Sequence, residues 1–329
     1  MVNQRVMRNV VVATHGHCFD GLCSAVMFTR LLRHVHPGEE LAFSYRGMGY
    51  GPGQNGVPPQ VLTGADNAIL DYRFSQAPSL NWYFDHHVSA FVTPEDRGAF
   101  EAGAADVKRH FFHDGKYGSC TKLIADIGKA EFGLDTAACA ELVRWADMID
   151  SASFPSAEMA VLKSEPVLQL MTVVENKGTD AFLAAMIPRL LEQPLSDVAR
   201  APDVAEAFAP LYAQQEKFVA QVKAKAEVVG PVVLVDLSEY VIDVAAKFVT
   251  YAFWPESAYS VLLTRSATKT KLSIGYNPWS PIPRKHDIAK ICERHGGGGH
   301  PVVGAITVKA DEIEKGKALA RSIAEELAS

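Results

Sequence analysis

The sequence predicts an α/β protein of two domains, with a doubly wound, mainly parallel sheet in the first and a smaller α/β second domain. Its 329 residues exceed the roughly 100–200 that one domain usually holds. In the first half, short apolar runs alternate with segments of helical periodicity, which is typical of a parallel sheet covered by helices. A second group of strand-like runs follows Gly230-Pro231. Each half is therefore expected to have its own core.

The first domain begins with a strand, a loop and a helix. Residues 10–13 are a β-branched run, and residues 22–34 show helical periodicity. Further strand-like runs are residues 41–45, 68–72 and 80–84, each followed by a loop with polar or ionisable side chains. Because open parallel sheets bind ligands outside the carboxyl ends of their strands, these loops are expected at one edge.

The middle of the chain is predicted to be helical. Residues 118–132 and 134–149 show a helical period, and the chain after Pro155 stays helical up to residue 192. A helical connector is predicted at 195–229, so that the three parts are 1–194, 195–229 and 230–329. The last part has predicted strands at 232–237, 259–264, 270–276 and 305–308 and ends in an amphipathic helix at 310–327.

Composition excludes several classes of protein. With 48% hydrophobic and 21% charged residues, the chain resembles an average globular protein and not a disordered, collagenous or coiled-coil one. No apolar run approaches the roughly 18–20 residues of a membrane span, and the first residues lack a cleavage signature, so a cytoplasmic location without a membrane partner is expected. A net charge of −6 disfavours coating of long duplex DNA but permits a small anionic substrate.

The cysteines indicate reduced thiols. Five are present, at scattered positions that form neither a disulfide framework nor a CxxC zinc pattern.

Asp85-His86-His87 is the first chemical feature, directly after the apolar run Trp82-Tyr83-Phe84. One imidazole of such a pair suits a metal ion and the other a phosphate oxygen, although paired histidines also occur in ordinary loops.

Other clusters supply further metal donors. His15, His17 and Asp20 share the first loop, where manganese, magnesium or zinc could bind, or Asp20 could simply cap a helix. Asp71 follows an apolar strand and could merely begin a turn. Asp147 and Asp150 are three residues apart on one helical face, and their spacing does not show which would hold a metal ion.

Near the end of the chain, Arg294 precedes four consecutive glycines, residues 296–299, and His300. Glycines leave backbone N–H groups free to approach an anion, so phosphate or nucleotide binding is predicted. A flexible linker is the alternative, but the run lies between a predicted helix and a predicted strand. Tyr276-Asn277 is expected to follow a strand and to face the same groove.

Together these motifs resemble the DHH phosphoesterase superfamily, in the branch with the DHH-associated C-terminal domain. The resemblance covers nearly the whole chain and is carried by the ordered set His15, Asp20-Gly21, Asp71, Asp85-His86-His87, Gly118-Ser119, Asp147/Asp150 and the glycine run with His300. Its members include nanoRNases, phosphatases of 3′-phosphoadenosine 5′-phosphate and cyclic-dinucleotide phosphodiesterases. It implies a manganese-dependent hydrolase with two metal ions and with substrate held between two domains.

The resemblance also implies residue roles. The implied metal ligands are His15, Asp20, Asp71 as the bridge, His86, and either Asp147 or Asp150. His87 would contact the scissile phosphate beside Asp85. The implied substrate-binding residues are Ser119, Asn277, Arg294, Gly297, Gly298, Gly299 and His300.

One position departs from the family pattern. Cys18 stands where the first motif usually has an aspartate. A thiolate there would shift metal preference toward softer ions, and the neighbouring His17 is an alternative ligand.

The predicted function is metal-dependent hydrolysis of short oligonucleotides or small nucleotide phosphates. A nucleotide-binding sensor that has lost turnover is the alternative suggested by Cys18, and an inorganic pyrophosphatase is a third. The expected partner is the nucleotide substrate, and a homodimer is one possible assembly.

Overall fold

The computed structural model describes residues 7–50, 56–241 and 248–329. The chain divides into two compact units, the first containing Met1–Ser153 and Glu165–Phe208 and the second containing Phe154–Ser164 and Ala209–Ser329. The predicted connector at 195–229 is thus shared between the units, and a short segment after residue 153 joins the second. The assignment of a catalytic and a substrate-binding domain stays a prediction.

The described part of the first unit contains a five-stranded sheet in the order β2-β1-β3-β4-β5. Its strands are β1 (Arg8–His15), β2 (Leu41–Met48), β3 (Asp66–Leu70), β4 (Trp82–Asp85) and β5 (His110–His113). All four pairings are parallel, which confirms the predicted fold class. Strand β5 was not predicted, because a four-residue strand with histidine at both ends gives little hydrophobic signal.

Helices alternate with these strands and then fill the middle of the chain. They are α1 (Phe19–Val35), α2 (Pro94–Ala104), α3 (Cys120–Phe132), α4 (Ala140–Asp150), α5 (Ala157–Leu162), α6 (Pro166–Lys177), α7 (Asp180–Glu192), α8 (Leu195–Ala199) and α9 (Pro202–Lys225). Of these, α5 and most of α9 belong to the second unit. Helix α1 is buried over most of its length and contacts α3, α4 and α7. Both β3 and β4 are fully buried, as expected for central strands covered on two faces.

The second unit contains a mixed sheet whose described strands have the order β10-β11-β9-β8-β7-β6. These strands are β6 (Ala226–Val229), β7 (Val232–Val241), β8 (Tyr259–Arg265), β9 (Lys269–Tyr276), β10 (Gly298–His300) and β11 (Val303–Lys309). The helices that follow α9 are α10 (Val249–Phe253), α11 (Ile288–Glu293) and α12 (Ile313–Ala328). Among the described strands of this sheet, β7 and β8 pair in parallel and the other pairs are antiparallel.

Two predicted segments differ from the structure. Residues 226–229 were expected to be helical but form β6, because Gly230 adopts φ 56° and turns the chain so that β6 pairs antiparallel with β7. The glycine run, placed by the prediction between a helix and a strand, itself enters the sheet, because Gly298 and Gly299 belong to β10, an edge strand beside β11.

No helix in the described ranges combines the length and the apolar character needed to span a membrane.

Candidate metal centre

Strand register brings the predicted ligands of the first unit to one edge of its sheet. Thr14 of β1 pairs with Leu70 of β3, and Leu70 pairs with Phe84 of β4. The residues that follow these three are His15, Asp71 and Asp85. The carboxyl ends of β1, β3 and β4 therefore present polar side chains at the same level, as predicted.

Asp71 is the centre of this edge. It is fully buried and has φ 55°, a left-handed conformation that aspartate tolerates better than most residues. Its Oδ2 lies 3.5 Å from His15 Nδ1, and its Oδ1 lies 3.5 Å from His86 Nε2 and 3.6 Å from His87 Nδ1. Burial alone would raise the pKa of Asp71, but the neighbouring imidazoles of His15 and His86 lower it to about 2.

Four buried atoms at this centre make no hydrogen bond of good geometry among the described residues, although one of them, on His86, lies at ion-pair distance from Asp150. They are His15 Nδ1, His86 Nε2 and both carboxylate oxygens of Asp71. Buried polar atoms are nearly always satisfied in native proteins, and these four converge on a small space. Nitrogen and carboxylate oxygen donors in such a cluster fit a divalent cation.

His86 is aimed by a backbone carbonyl. Its Nδ1 lies 3.0 Å from the Tyr117 carbonyl oxygen and donates to it, which leaves Nε2 for the centre. Nε2 lies 3.1 Å from Asp150 Oδ2 and 3.9 Å from Asp20 Oδ2. Burial opposes the charged imidazole, but Asp150 and Asp71 raise the pKa of His86 to about 11.

The structure separates Asp147 from Asp150. Asp150, His86 and Asp20 form one group whose donor atoms lie within 4.8 Å of one another. The Asp147 carboxylate instead accepts a hydrogen bond of 3.3 Å from Ser119 and lines a groove with Lys122 and Arg144. Geometry thus favours Asp150 as the ligand.

Asp20 caps a helix, but not its own. Its carboxylate accepts hydrogen bonds from the backbone N–H groups of Cys120, at 2.7 Å, and Thr121, at 3.0 Å, in the first turn of α3. Burial, followed by the charges of Asp71 and Asp150, raises its pKa well above the ordinary value. A cation beside Asp20 would relieve that cost, so the capping role and a metal role are compatible.

Cys18 joins the centre and His17 does not. Cys18, His15 and Asp71 form a second group with donor atoms within 4.8 Å. His17 has φ 54° and is exposed, with Nδ1 3.2 Å from the Glu175 carbonyl oxygen, and it belongs to no such group in the described chain. Burial, Asp71 and Asp20 raise the pKa of the Cys18 thiol, which opposes a free thiolate here.

Asp85 holds His87 in place. Its Oδ1 lies 2.7 Å from His87 Nδ1 and also accepts from the backbone N–H of His86 at 2.9 Å. Its Oδ2 accepts from the Tyr83 hydroxyl at 3.1 Å. The contact with Asp85 raises the pKa of His87, so the imidazole is favoured as a cation. Asp85 is therefore a positioning group.

Ser119 and the predicted substrate residue Asn277 have structural partners. Ser119 Oγ is the N-cap of α3 and accepts from Lys122 N at 3.1 Å. The Asn277 amide donates to the carbonyls of Pro255 and Ser257 and accepts from Trp279 N. Their roles in substrate binding stay predictions.

Neighbouring backbone atoms approach the glycine segment closely. The backbone N–H of Gly297 donates to the Cys292 carbonyl at 2.9 Å, and a Cβ there would lie 2.2 Å from the Ala305 carbonyl oxygen. His300 is exposed on β10, and Arg294 forms an ion pair of 2.5 Å with Glu326. A role for His300 and Arg294 in substrate binding also stays a prediction.

Comparison with known proteins identifies the fold. No model of a protein family matches the chain, and no curated protein matches it. A solved structure of the pGpG-specific phosphodiesterase PggH from Vibrio cholerae matches over 96% of this chain and 98% of its own, with a TM-score of 0.64 and 18% identity. A DHH domain described as belonging to a family of ribosomal proteins matches over 98% and 88%, with a TM-score of 0.59 and 14% identity. This chain has the DHH fold.

A third solved structure similar to this chain is that of an exopolyphosphatase-related protein from Bacteroides fragilis. It matches over 98% of this chain and 94% of its own, with a TM-score of 0.52 and 12% identity. At identities this low the matches establish the DHH fold and confirm the predicted resemblance at that level.

Three residues that position the DHH triplet were missed by sequence analysis. Tyr83 donates to Asp85, the Tyr117 carbonyl accepts from His86, and His113 Nε2 lies 2.9 Å from the His87 carbonyl oxygen. The contact of Tyr83 with Asp85 could have been predicted, because side chains two residues apart on a strand lie on the same face. His113 pairs with Asp85 across β4 and β5, a relationship that appears only once β5 is known.

Proposed function

We propose that this protein is a metal-dependent phosphoesterase that hydrolyses short oligonucleotides or small nucleotide phosphates. The observation that carries the proposal is the cluster around Asp71, where four buried donor atoms make no hydrogen bond within the described chain. Among buried polar groups such a deficit is rare, and divalent cations bound at this cluster would supply the missing partners.

Two groups of residues would hold the metal. His15, Cys18 and Asp71 would form one position, and Asp20, His86 and Asp150 would form the other. Asp71 also forms a group with His86 and His87, so it lies beside both positions. The oxygen and nitrogen donors suit Mn²⁺ or Mg²⁺, whereas Cys18 adds a preference for Zn²⁺ at the first position. We propose Mn²⁺. When bound, the ions supply Lewis acidity to the phosphoryl group and to the attacking water.

The chain's own residues would bind and orient the phosphate. With Nδ1 committed to Asp85 at 2.7 Å, His87 has Nε2 as its remaining donor. A cationic His87 would stabilise the charge that develops on phosphoryl oxygens. The buried carboxylate of Asp85 fixes the ring and its charge without itself touching the substrate.

The choice of a nucleotide substrate is supported by similarity alone. The pGpG-specific phosphodiesterase of Vibrio cholerae has the same fold over nearly the whole of both chains. On the sequence resemblance, Arg294, the glycine segment and His300 would bind the phosphate or the terminal nucleotide of the substrate. A homodimer stays a prediction.

The test is hydrolysis by the purified protein with Mn²⁺, Mg²⁺ or Zn²⁺. The substrates are pGpG, 5′-labelled dinucleotides and 3′-phosphoadenosine 5′-phosphate, with pyrophosphate to test the third alternative. We expect release of mononucleotides with a divalent ion and none with chelator. Asp71→Asn should abolish activity, whereas Asp311→Asn, in an exposed turn of the second unit, should retain it. Failure on all three nucleotide substrates with every metal would contradict the proposal.

The second candidate is a nucleotide-binding sensor without turnover, favoured by Cys18 at the centre. It predicts thermal stabilisation by pGpG without hydrolysis, and appearance of activity in Cys18→Asp. Activity in the unmodified protein would exclude it.

A further inference from the structure

An exposed aromatic side chain lies beside the candidate metal centre. The Tyr50 ring is 5.1 Å from the His15 ring in an edge-on arrangement and 4.6 Å from the Tyr72 ring. Tyr50 nevertheless remains 44% exposed. An aromatic residue in the core of the unit would be covered, so this one borders the centre without being enclosed by it.

The guanidinium group of Arg73 lies next to the Tyr50 ring. The Arg73 Cζ atom lies 5.0 Å from the centroid of the Tyr50 ring, within range of a cation–π contact. Arg73 and Tyr72 directly follow Asp71 in the chain. The Tyr72 hydroxyl donates to the Gly49 carbonyl at 2.5 Å, which ties the residue before Tyr50 to the end of β3. The pair is therefore anchored to the same strand end that presents Asp71.

The chemistry of the pair is unlike that of the metal cluster. Tyr50 presents a partly exposed ring with a phenol hydroxyl, and the Arg73 guanidinium lies over that ring. Tyr50 and Arg73 thus offer an apolar ring, a hydroxyl donor and a planar cation. Aromatic rings and guanidinium planes are the surfaces on which proteins stack nucleobases.

We propose that Tyr50 and Arg73 form a nucleobase contact beside the metal centre, so that the preferred substrate carries a base on the nucleoside next to the scissile phosphate. This inference rests on the proposed function and sharpens it, because it distinguishes nucleotides from pyrophosphate and other base-free phosphates. One stacked base is worth about 5- to 150-fold in affinity.

The experiment compares pGpG with an abasic analogue in which that nucleoside has lost its base. The ratio of kcat/KM for the two substrates is measured in the wild-type protein and in Tyr50→Leu and Tyr50→Phe. A ratio is used because a disturbed His15 would slow both substrates alike and leave the ratio unchanged. We expect Tyr50→Leu to reduce the ratio by about 5- to 150-fold, and Tyr50→Phe, which keeps the ring, to preserve most of it.

A matched control is available on β2. Phe43 also has a guanidinium over its ring, with Arg33 Cζ 5.8 Å from the centroid, and it pairs with Val10, five residues before His15 on β1. Phe43→Leu should leave the ratio at the wild-type value. An equal fall in both substrates for Tyr50→Leu, or no fall, would overturn the inference, since Tyr50 would then merely cover His15.

Binding separates this inference from the proposed function. The Kd of pGpG and of the abasic analogue is measured by calorimetry with Ca²⁺, without a need for turnover. If the protein hydrolyses nothing but binds pGpG in a ring-dependent way, the base contact stands and the phosphoesterase proposal fails. If binding of pGpG is absent, or is the same in Tyr50→Leu, the base contact is wrong.

Discussion

His87 Nδ1 lies 2.7 Å from Asp85 Oδ1, and the same carboxylate accepts hydrogen bonds from the Tyr83 hydroxyl and the His86 backbone. The buried Asp85 carboxylate thereby orients the His87 ring, favours its cationic form and holds the backbone of His86. The three adjacent residues thus have different surroundings: Asp85 contacts the His87 ring, His86 faces Asp71 and Asp150, and His87 has its second ring nitrogen outside the contact with Asp85.

Asp85→Asn should slow catalysis without emptying the metal centre. The amide cannot stabilise a cationic His87, and we expect kcat to fall about 10- to 100-fold, as is typical when an orienting partner is removed. Bound metal should stay at the wild-type stoichiometry, measured by elemental analysis after gel filtration. A parallel loss of metal would show that Asp85 supports the ligands instead of His87.

Asp150→Asn and Asp147→Asn should differ in metal affinity. Asp150 Oδ2 lies 3.1 Å from His86 Nε2, whereas Asp147 accepts a hydrogen bond from Ser119. We expect the Kd for Mn²⁺ to rise at least about tenfold in Asp150→Asn and to change little in Asp147→Asn. Titration with Mn²⁺ followed by calorimetry measures both. The reverse order would assign the ligand to Asp147.

Gly297→Ala and Gly298→Ala form a pair that separates packing from substrate binding. A Cβ at Gly297 would lie 2.2 Å from the Ala305 carbonyl oxygen, while one at Gly298 meets no described atom within 4 Å. We expect Gly297→Ala to lower the free energy of unfolding by about 1–3 kcal/mol and Gly298→Ala to leave it within about 0.5 kcal/mol. Urea unfolding measures both.

If Gly298→Ala also leaves the KM for pGpG unchanged, the predicted contact of Gly298 with substrate is contradicted.

His110 should make stability fall in mild acid. Its ring stacks on Trp82 with centroids 4.0 Å apart, and burial lowers its pKa, an effect that Asp66 opposes. Above about pH 6.5 the imidazole is neutral in both states, so it does not affect folding. Below that value the unfolded chain takes up the proton more readily, and stability is lost as pH falls.

The measurement is urea unfolding of the wild type and His110→Phe at pH 7.5 and 5.5. The phenyl ring keeps the stack on Trp82 and cannot titrate, so the variant should lose less stability between the two values. An equal loss in both proteins would assign the effect to other groups.

Sequence alone determined the fold class, most element positions and the motif residues. Alternating strands and helices place loop residues at the carboxyl edge of a parallel sheet whatever the detailed packing, so His15, Asp71 and Asp85 were predicted together. Strand β5 was not predicted because it is short. Strand β6 was not predicted because its alanine, glutamate and valines continue a helical period until the turn at Gly230.

Only the tertiary structure decided which donors meet. Asp147 and Asp150 are equivalent in spacing, and Cys18 and His17 are neighbours, but in the described structure only Asp150 and Cys18 place donor atoms in the clusters at the centre. The contact of Asp20 with the start of α3 joins residues about a hundred positions apart. Such choices depend on how helices dock on the sheet, and local sequence carries no record of that packing.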